Sequence, residues 1–308
     1  MKILVTGAGG LIGCHVVENL YSSGYEVFGL YRTAPTDKNK WNVLVSDLLD
    51  FNSIGRIEKT KPDIIVHCAA ILPKEFVGEK ALEAAKLNEI IDDRIIQYCT
   101  QEIGCRLIFI SGTSVYGLSK SPWTEITKTN PIGPYLKAKI RTENRIKEIK
   151  NKSILMRVSA PYSPMQKART VLKVFIENAL LNNDLTYFGS GMRSQDFTHS
   201  SDIANAISNA IRGWMFNECS TEIFNIASGN PISMKDLAHL VIKCTPGTKS
   251  RVIKSEKPDP QEDFRTIIDI SKAKKYLAWK PEIPLSNGIK HWFEFIKSKK
   301  KYDVRLYI

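Results

Sequence analysis

A chain of 308 residues, 43% hydrophobic and 25% charged, has the composition of a globular protein. It is long enough for one sizeable core or two unequal domains, and no run of about 18 apolar residues suggests a membrane span. The net charge of +12 raises nucleic-acid binding, but the excess is dispersed, densest at Lys297, Lys299, Lys300 and Lys301, and not interleaved with aromatic stacking platforms. A solvated basic surface is expected, with no nucleic-acid partner. The six cysteines (Cys14, Cys68, Cys99, Cys105, Cys219, Cys244) form no Cys-x-x-Cys pair, and the five histidines have no metal-ligand spacing. The chain enters a predicted strand at once, without a signal-peptide layout. Reduced thiols, no metal and a cytoplasmic location are therefore expected.

In chain order, the apolar run Ile3–Val5 predicts a buried strand. It leads into Thr6-Gly7-Ala8-Gly9-Gly10-Leu11-Ile12-Gly13 and then a helical pattern with Val16, Val17 and Leu20. Strand, glycine turn and helix N-terminus make a pyrophosphate site, because glycines admit phosphate to backbone amides and the helix end adds partial positive charge. Gly7, Gly9, Gly10, Leu11, Ile12 and Gly13 are the candidate contacts.

Further strands are predicted at Glu26–Leu30, Val43–Val45, Ile64–Cys68, Leu107–Ile110 and Ile154–Arg157, with helices at Glu79–Gln101 and Tyr135–Lys150. Short, continuously apolar strands alternating with helices predict an α/β fold, a Rossmann-type doubly wound parallel sheet covered on both faces. Beyond about Pro161 the alternation loosens around helices near Val171–Leu181 and Asp202–Arg212. The expected division is a dinucleotide-binding domain over 1–165 and a smaller α+β substrate lobe over 166–308. The segment 222–227 is a candidate to return to the main sheet.

After the second strand, Tyr31 stands where an acidic residue would read a ribose 2′-hydroxyl, and Arg32 follows. An arginine there suits a 2′-phosphate, so NADP(H) is favoured and NAD(H) stays open; an exposed loop cation is the plainer reading of Arg32. Asp47, next to Leu48, is suited to accept from an adenine amino group or to cap a helix. The small residues Ala69 and Ala70 let the chain pass close under a nucleotide, and His67 beside them is read as structural. Tyr135 and Lys139, four residues apart, share one helix face, where the ammonium draws the phenol toward ionisation.

Thr6–Gly13, Asp47, His67–Ala70, the run Ser111-Gly112-Thr113-Ser114-Val115-Tyr116-Gly117 and Tyr135–Lys139 resemble, in order, the extended short-chain dehydrogenase/reductases. The subgroup they resemble is the nucleotide-sugar epimerase/dehydratase family. Arg157 to Pro164, Phe188 to Phe197, Phe224-Asn225-Ile226 and Asp269 to Ala273 extend the likeness over nearly the whole chain. The resemblance implies that Tyr135 is the general acid/base at a sugar hydroxyl or ketone, typically at C4. It implies that Lys139 lowers the tyrosine pKa and holds the nicotinamide ribose. It also implies a nucleotide-diphosphate sugar as substrate and a homodimer packed through the helices at Glu79–Gln101 and Tyr135–Lys150.

Departures from the family pattern matter. Gly112 replaces the Ser or Thr that bonds the reacting oxygen, and Thr113 is preferred over Ser111 as its substitute. Ala160 falls on the substrate-contacting Asn and Gln195 on the diphosphate arginine, so that role passes to Arg193 and Arg265. Thr113-Ser114 occupies the acidic pair of the dehydratases, which disfavours dehydration. The leading expectation is an NADPH-dependent ketoreductase, with a 4-epimerase holding NAD tightly as the alternative and a non-catalytic NADP-binding regulator as the third.

Overall fold

The computed structural model describes residues 1–36, 38–73, 75, 77–213 and 221–300; Cys219 and Lys301 lie outside them. Ile3, Leu4 and Val5 are each fully buried, so the strand they form, β1 (Lys2–Thr6), is covered on both faces. The same holds for β4 (Ile64–His67), reached after β2 (Glu26–Tyr31) and β3 (Asn42–Val45), and for most of β5 (Arg106–Gly112) and β6 (Ser153–Val158).

Beyond β6, β7 (Pro161–Tyr162) pairs with β10 (Thr198–His199), β8 (Leu185–Tyr187) with β13 (Val252–Lys254), and β9 (Ser194–Gln195) with β12 (Ile232–Ser233). The remaining strand, β11 (Thr221–Ile226), returns to the main sheet and runs parallel to β6, with Thr221 opposite Ser153 and Ile226 opposite Val158. The seven-stranded sheet is parallel throughout, in the order β11-β6-β5-β4-β1-β2-β3. Strand order reverses between β1 and β4, which opens a crevice at their C-terminal ends, the usual ligand position in such sheets.

Two apolar layers clamp the sheet. On one face, Val16, Val17 and Leu20 of α1 (Gly13–Ser22) pack with Ile203 and Ile207 of α6 (Ser200–Gly213). On the other lie Ile57 of α2 (Ser53–Glu58), Ile91 and Ile95 of α3 (Glu79–Gln101) and Ile146 of α4 (Gly133–Glu148). A third core joins α5 (Val171–Leu181), α7 (Met234–Cys244) and α8 (Leu285–Lys300) through Phe175, Leu237 and Trp292. α4 starts at Gly133, earlier than periodicity suggests, because Pro134 presets the first helical turn. No described helix is long and apolar enough to cross a membrane.

Candidate active site

The glycine loop sits at the strand-order reversal. Gly7 has φ +65°, and a Cβ there would lie 2.8 Å from the Ala69 backbone, so only glycine lets β1 turn this tightly against the end of β4. The Ala69 amide donates to Thr6 Oγ1 at 3.2 Å, tying the two strand ends together. Gly9 and Gly10 are exposed, and the Leu11 and Ile12 amides donate to no group among the described residues. Free amides at a helix N-terminus, with no side chains over them, fit a dinucleotide pyrophosphate. Ala70 is exposed beside this opening.

Around the adenosine end, the residues divide differently from their sequence reading. Leu48 is 4% exposed and belongs to the core, so its side chain is spent on packing. One oxygen of Asp47 accepts from the Leu49 amide at 2.9 Å in a turn, which leaves the other for a ligand. The Tyr31 ring lies under the glycine loop, about a contact distance from Gly9, and its hydroxyl accepts from Trp41 Nε1 at 2.9 Å. Arg32 is exposed.

β5, β4, α3 and α4 surround Tyr135 and Lys139. Tyr135 and Lys139 both belong to α4, and the Lys139 ammonium is buried 4.4 Å from the centre of the Phe109 ring. Burial pushes the Tyr135 phenol above its ordinary pKa; Lys139 opposes the rise and Asp92 adds to it. The expected lowering by Lys139 is thus present but outweighed. Lys139 also lies 3.7 Å from Asp92 Oδ2, a carboxylate on α3 that sequence reading missed. Burial alone would raise Asp92, yet Lys139, His67 and Thr142 together hold it below the usual carboxylate range. Asn88, one turn earlier, accepts from the Ile71 amide at 2.9 Å and donates to the Ile71 and Ala84 carbonyls. Both are polar residues in phase with the apolar face Ala81, Ala84, Ala85, Ile91 and Ile95, the one signal that could have revealed them.

The end of β5 separates the two candidate hydroxyls. Ser111 donates to Glu143 Oε1 at 2.6 Å in a fully enclosed cluster with Arg157, so it is committed to the structure and not free for substrate. Thr113 is 3% exposed, and its hydroxyl makes no hydrogen bond among the described residues. Gly112 is extended (φ −131°), and a Cβ there would meet nothing nearer than the Val158 carbonyl at 3.8 Å. Tyr116 is structural, donating to Asn225 Oδ1 at 2.7 Å. Ala160 is held at φ +24°. Arg193 and Arg265 converge on one loop. Arg193 Nε donates to Asp259 Oδ2 at 2.7 Å, and Arg265 bonds the Glu262 and Phe264 carbonyls.

Residues 3–227 match the model of the NAD dependent epimerase/dehydratase family. The chain is 27% identical to a UDP-glucose 4-epimerase of Mycolicibacterium smegmatis, across 97% of this chain and 99% of that one. Among solved structures, it is similar to a UDP-glucose 4-epimerase of Thermotoga maritima with UDP-glucose, at 25% identity and TM-score 0.84 over 97% of this chain and all of the other. It is also similar to a UDP-glucuronic acid 4-epimerase of Bacillus cereus bound to UDP-glucuronic acid and NAD, at 25% identity and TM-score 0.82 with the same coverage. The chain belongs to the NAD dependent epimerase/dehydratase family, within the extended short-chain dehydrogenase/reductases.

Proposed function

We propose that the chain is a nucleotide-sugar 4-epimerase that keeps NAD through its cycle. The observation that carries this reading is the meeting of Tyr135, Lys139 and an open glycine loop at the strand-order reversal, in a chain similar along its whole length to UDP-sugar 4-epimerases. Bound NAD supplies reversible oxidation at a sugar carbon.

Gly7 to Gly13 hold its pyrophosphate, and Asp47 is placed for the adenine end. Tyr135 takes the proton from the sugar hydroxyl and, once the keto sugar has turned its other face toward the cofactor, returns the proton to that same oxygen. Lys139 steadies the charge on Tyr135 and bonds the nicotinamide ribose. Thr113 donates to the reacting oxygen, since Ser111 is engaged and position 112 carries no hydroxyl. Arg193 and Arg265 hold the diphosphate.

Incubation with UDP-glucose and with dTDP- and UDP-hexoses should yield the C4 epimer of one of them. Tyr135→Phe should lower turnover by about 10²–10⁴-fold while NAD and UDP still raise the melting temperature. Absence of any epimer, or full turnover by Tyr135→Phe, rejects the reading.

Tyr31 in place of an acid, with Arg32 exposed beside it, favours a second reading, an NADPH-dependent 4-ketoreductase. It requires stoichiometric NADPH oxidation by a 4-keto sugar nucleotide and loss of that preference in Arg32→Glu. We also infer a homodimer through α3 and α4, where Leu82 and Ile90 of α3 are exposed. Light scattering should give twice the chain mass, falling to one in Ile90→Asp.

A further inference from the structure

The lysine of the proton-transfer pair is not left to Tyr135 alone. Asp92 is 1% exposed and receives three groups from two elements, α4 and β4. Thr142 of α4 donates to Oδ2 at 2.8 Å, His67 of β4 approaches Oδ1 at 3.1 Å through Nε2, and Lys139 Nζ stands 3.7 Å from Oδ2.

The hydrogen placement on His67 follows from Asp92. An ionised Asp92 can only accept, so the neutral ring presents a bare Nδ1 to Thr6 Oγ1, 2.6 Å away, and that hydroxyl donates to it while accepting from the Ala69 amide. Nε2 then carries the hydrogen that Asp92 accepts. A neutral His67 agrees with its burial, which together with Lys139 lowers its pKa against the pull of Asp92. His67 therefore contributes a donor and no charge.

The charges around the cluster can be enumerated. Cys68, at the end of β4, is pushed up to about 12 and stays a thiol. Glu143 of α4 is matched by Arg157 of β6. On the outer side, Glu89 and Asp93 of α3 are matched by Arg141 and Arg145 of α4. Among the described residues, one cation (Lys139) thus faces one anion (Asp92), and the enclosed cluster is neutral only while Tyr135 keeps its proton. Loss of the phenol proton to solvent leaves the electron pair on Oη and a net negative charge in a poorly solvated pocket.

Resting on the catalytic reading above, we propose that Asp92 is a positioning residue that withholds the charge of Lys139 from Tyr135. Tyr135 then ionises only when the positive ring of an oxidised nicotinamide stands beside it. His67 and Thr6 carry the same constraint to the glycine loop, so the carboxylate is fixed by the strand ends that hold the cofactor.

Ultraviolet titration of tyrosinate in the full-length protein tests this, with Tyr135→Phe subtracted to isolate the one phenol. In Asp92→Asn the Tyr135 midpoint should fall by roughly one to two pH units, and the acid limb of kcat should move down with it. A midpoint that is unchanged or higher overturns the proposal. Should Asp92→Asn not fold, Thr142→Val removes the hydroxyl that shares Oδ2 with Lys139. That variant should tighten the carboxylate on the lysine and raise the midpoint; an unchanged or lower value overturns the proposal. If Tyr135→Phe retains turnover, the catalytic reading fails, while the titration still reports on Asp92 by itself.

Discussion

Three successive residues at the end of β5 are of similar size and carry different burdens. Ser111 satisfies a buried carboxylate, Gly112 satisfies nothing, and Thr113 offers a hydroxyl with no partner among the described residues. Gly117, a few residues on, is a true requirement: φ is +58° and a Cβ would overlap the Asn130 carbonyl. Gly112 has no such constraint, so a side chain there meets open space in an extended backbone. Gly112→Ser should therefore leave the stability to urea unchanged or slightly raised, by about 0.4–1 kcal/mol of lost unfolded-state freedom. It should also restore a donor whose absence elsewhere costs about 10²–10³ in kcat, so a gain of about tenfold in epimerase turnover is expected. A fall in both quantities would show that the notch is occupied in the working enzyme. Ser111→Ala should do the reverse, costing about 1.5–3 kcal/mol in urea unfolding by removing one of the two donors to Glu143 Oε1 and leaving Arg157 as the other, with kcat moving by no more than a few-fold.

At the scale of elements, the packing of α3 on α4 decides what the sequence could not disclose. Tyr135 and Lys139 were legible because their spacing within one helix brings them to one face. The sheet was legible because its central strands are apolar on both faces; Thr221–Ile226 returns to it at the edge, beside β6, with Thr221, Glu222 and Asn225 interrupting that pattern. Asp92 and Asn88 were not legible as functional residues. Their partners lie on other elements, far along the chain, and nothing in spacing announces a contact made only when α3 docks. Ser111 misled for the same reason, since its acceptor is brought in by α4. The outer pairs of this helix interface are half exposed, so Arg141→Ala and Arg145→Ala should each cost less than about 1 kcal/mol. Asn88 is enclosed and bonds both backbone groups of Ile71, just past the Ala69–Ala70 edge of the crevice. Asn88→Ala should cost on the order of 1–3 kcal/mol for each stranded group and weaken NAD binding in a calorimetric titration. Equal losses from all three variants would mean that the crevice edge does not depend on this anchor.

For the whole molecule, α1 on the main sheet meets β10 and the third core at a pair of histidines. His15 of α1 bonds Ser163 at 3.0 Å and Ser201 at 3.2 Å, and its ring stands 5.8 Å from that of His199 on β10. His199 packs edge-on against Tyr162, and its Nδ1 accepts from the Ser201 amide at 3.2 Å, which requires an unprotonated nitrogen. Burial first, then the neighbouring His15 and His291, lower its pKa to about 4. In the unfolded chain the same ring titrates near 6.5. Between those values the unfolded state holds the extra proton, so stability rises with pH across the window and is lost as pH falls from about 6.5 toward 4. The loss attributable to His199 should reach about 2 kcal/mol by pH 5. Other groups titrate over the same range, so the quantity to measure is the difference between wild type and His199→Asn, whose Oδ1 can still accept from the Ser201 amide. Urea unfolding at pH 7 and pH 5 should show wild type losing about 2 kcal/mol more than the variant. A difference independent of pH would mean that His199 is protonated at the junction without cost, and that some other contact joins β10 to α1.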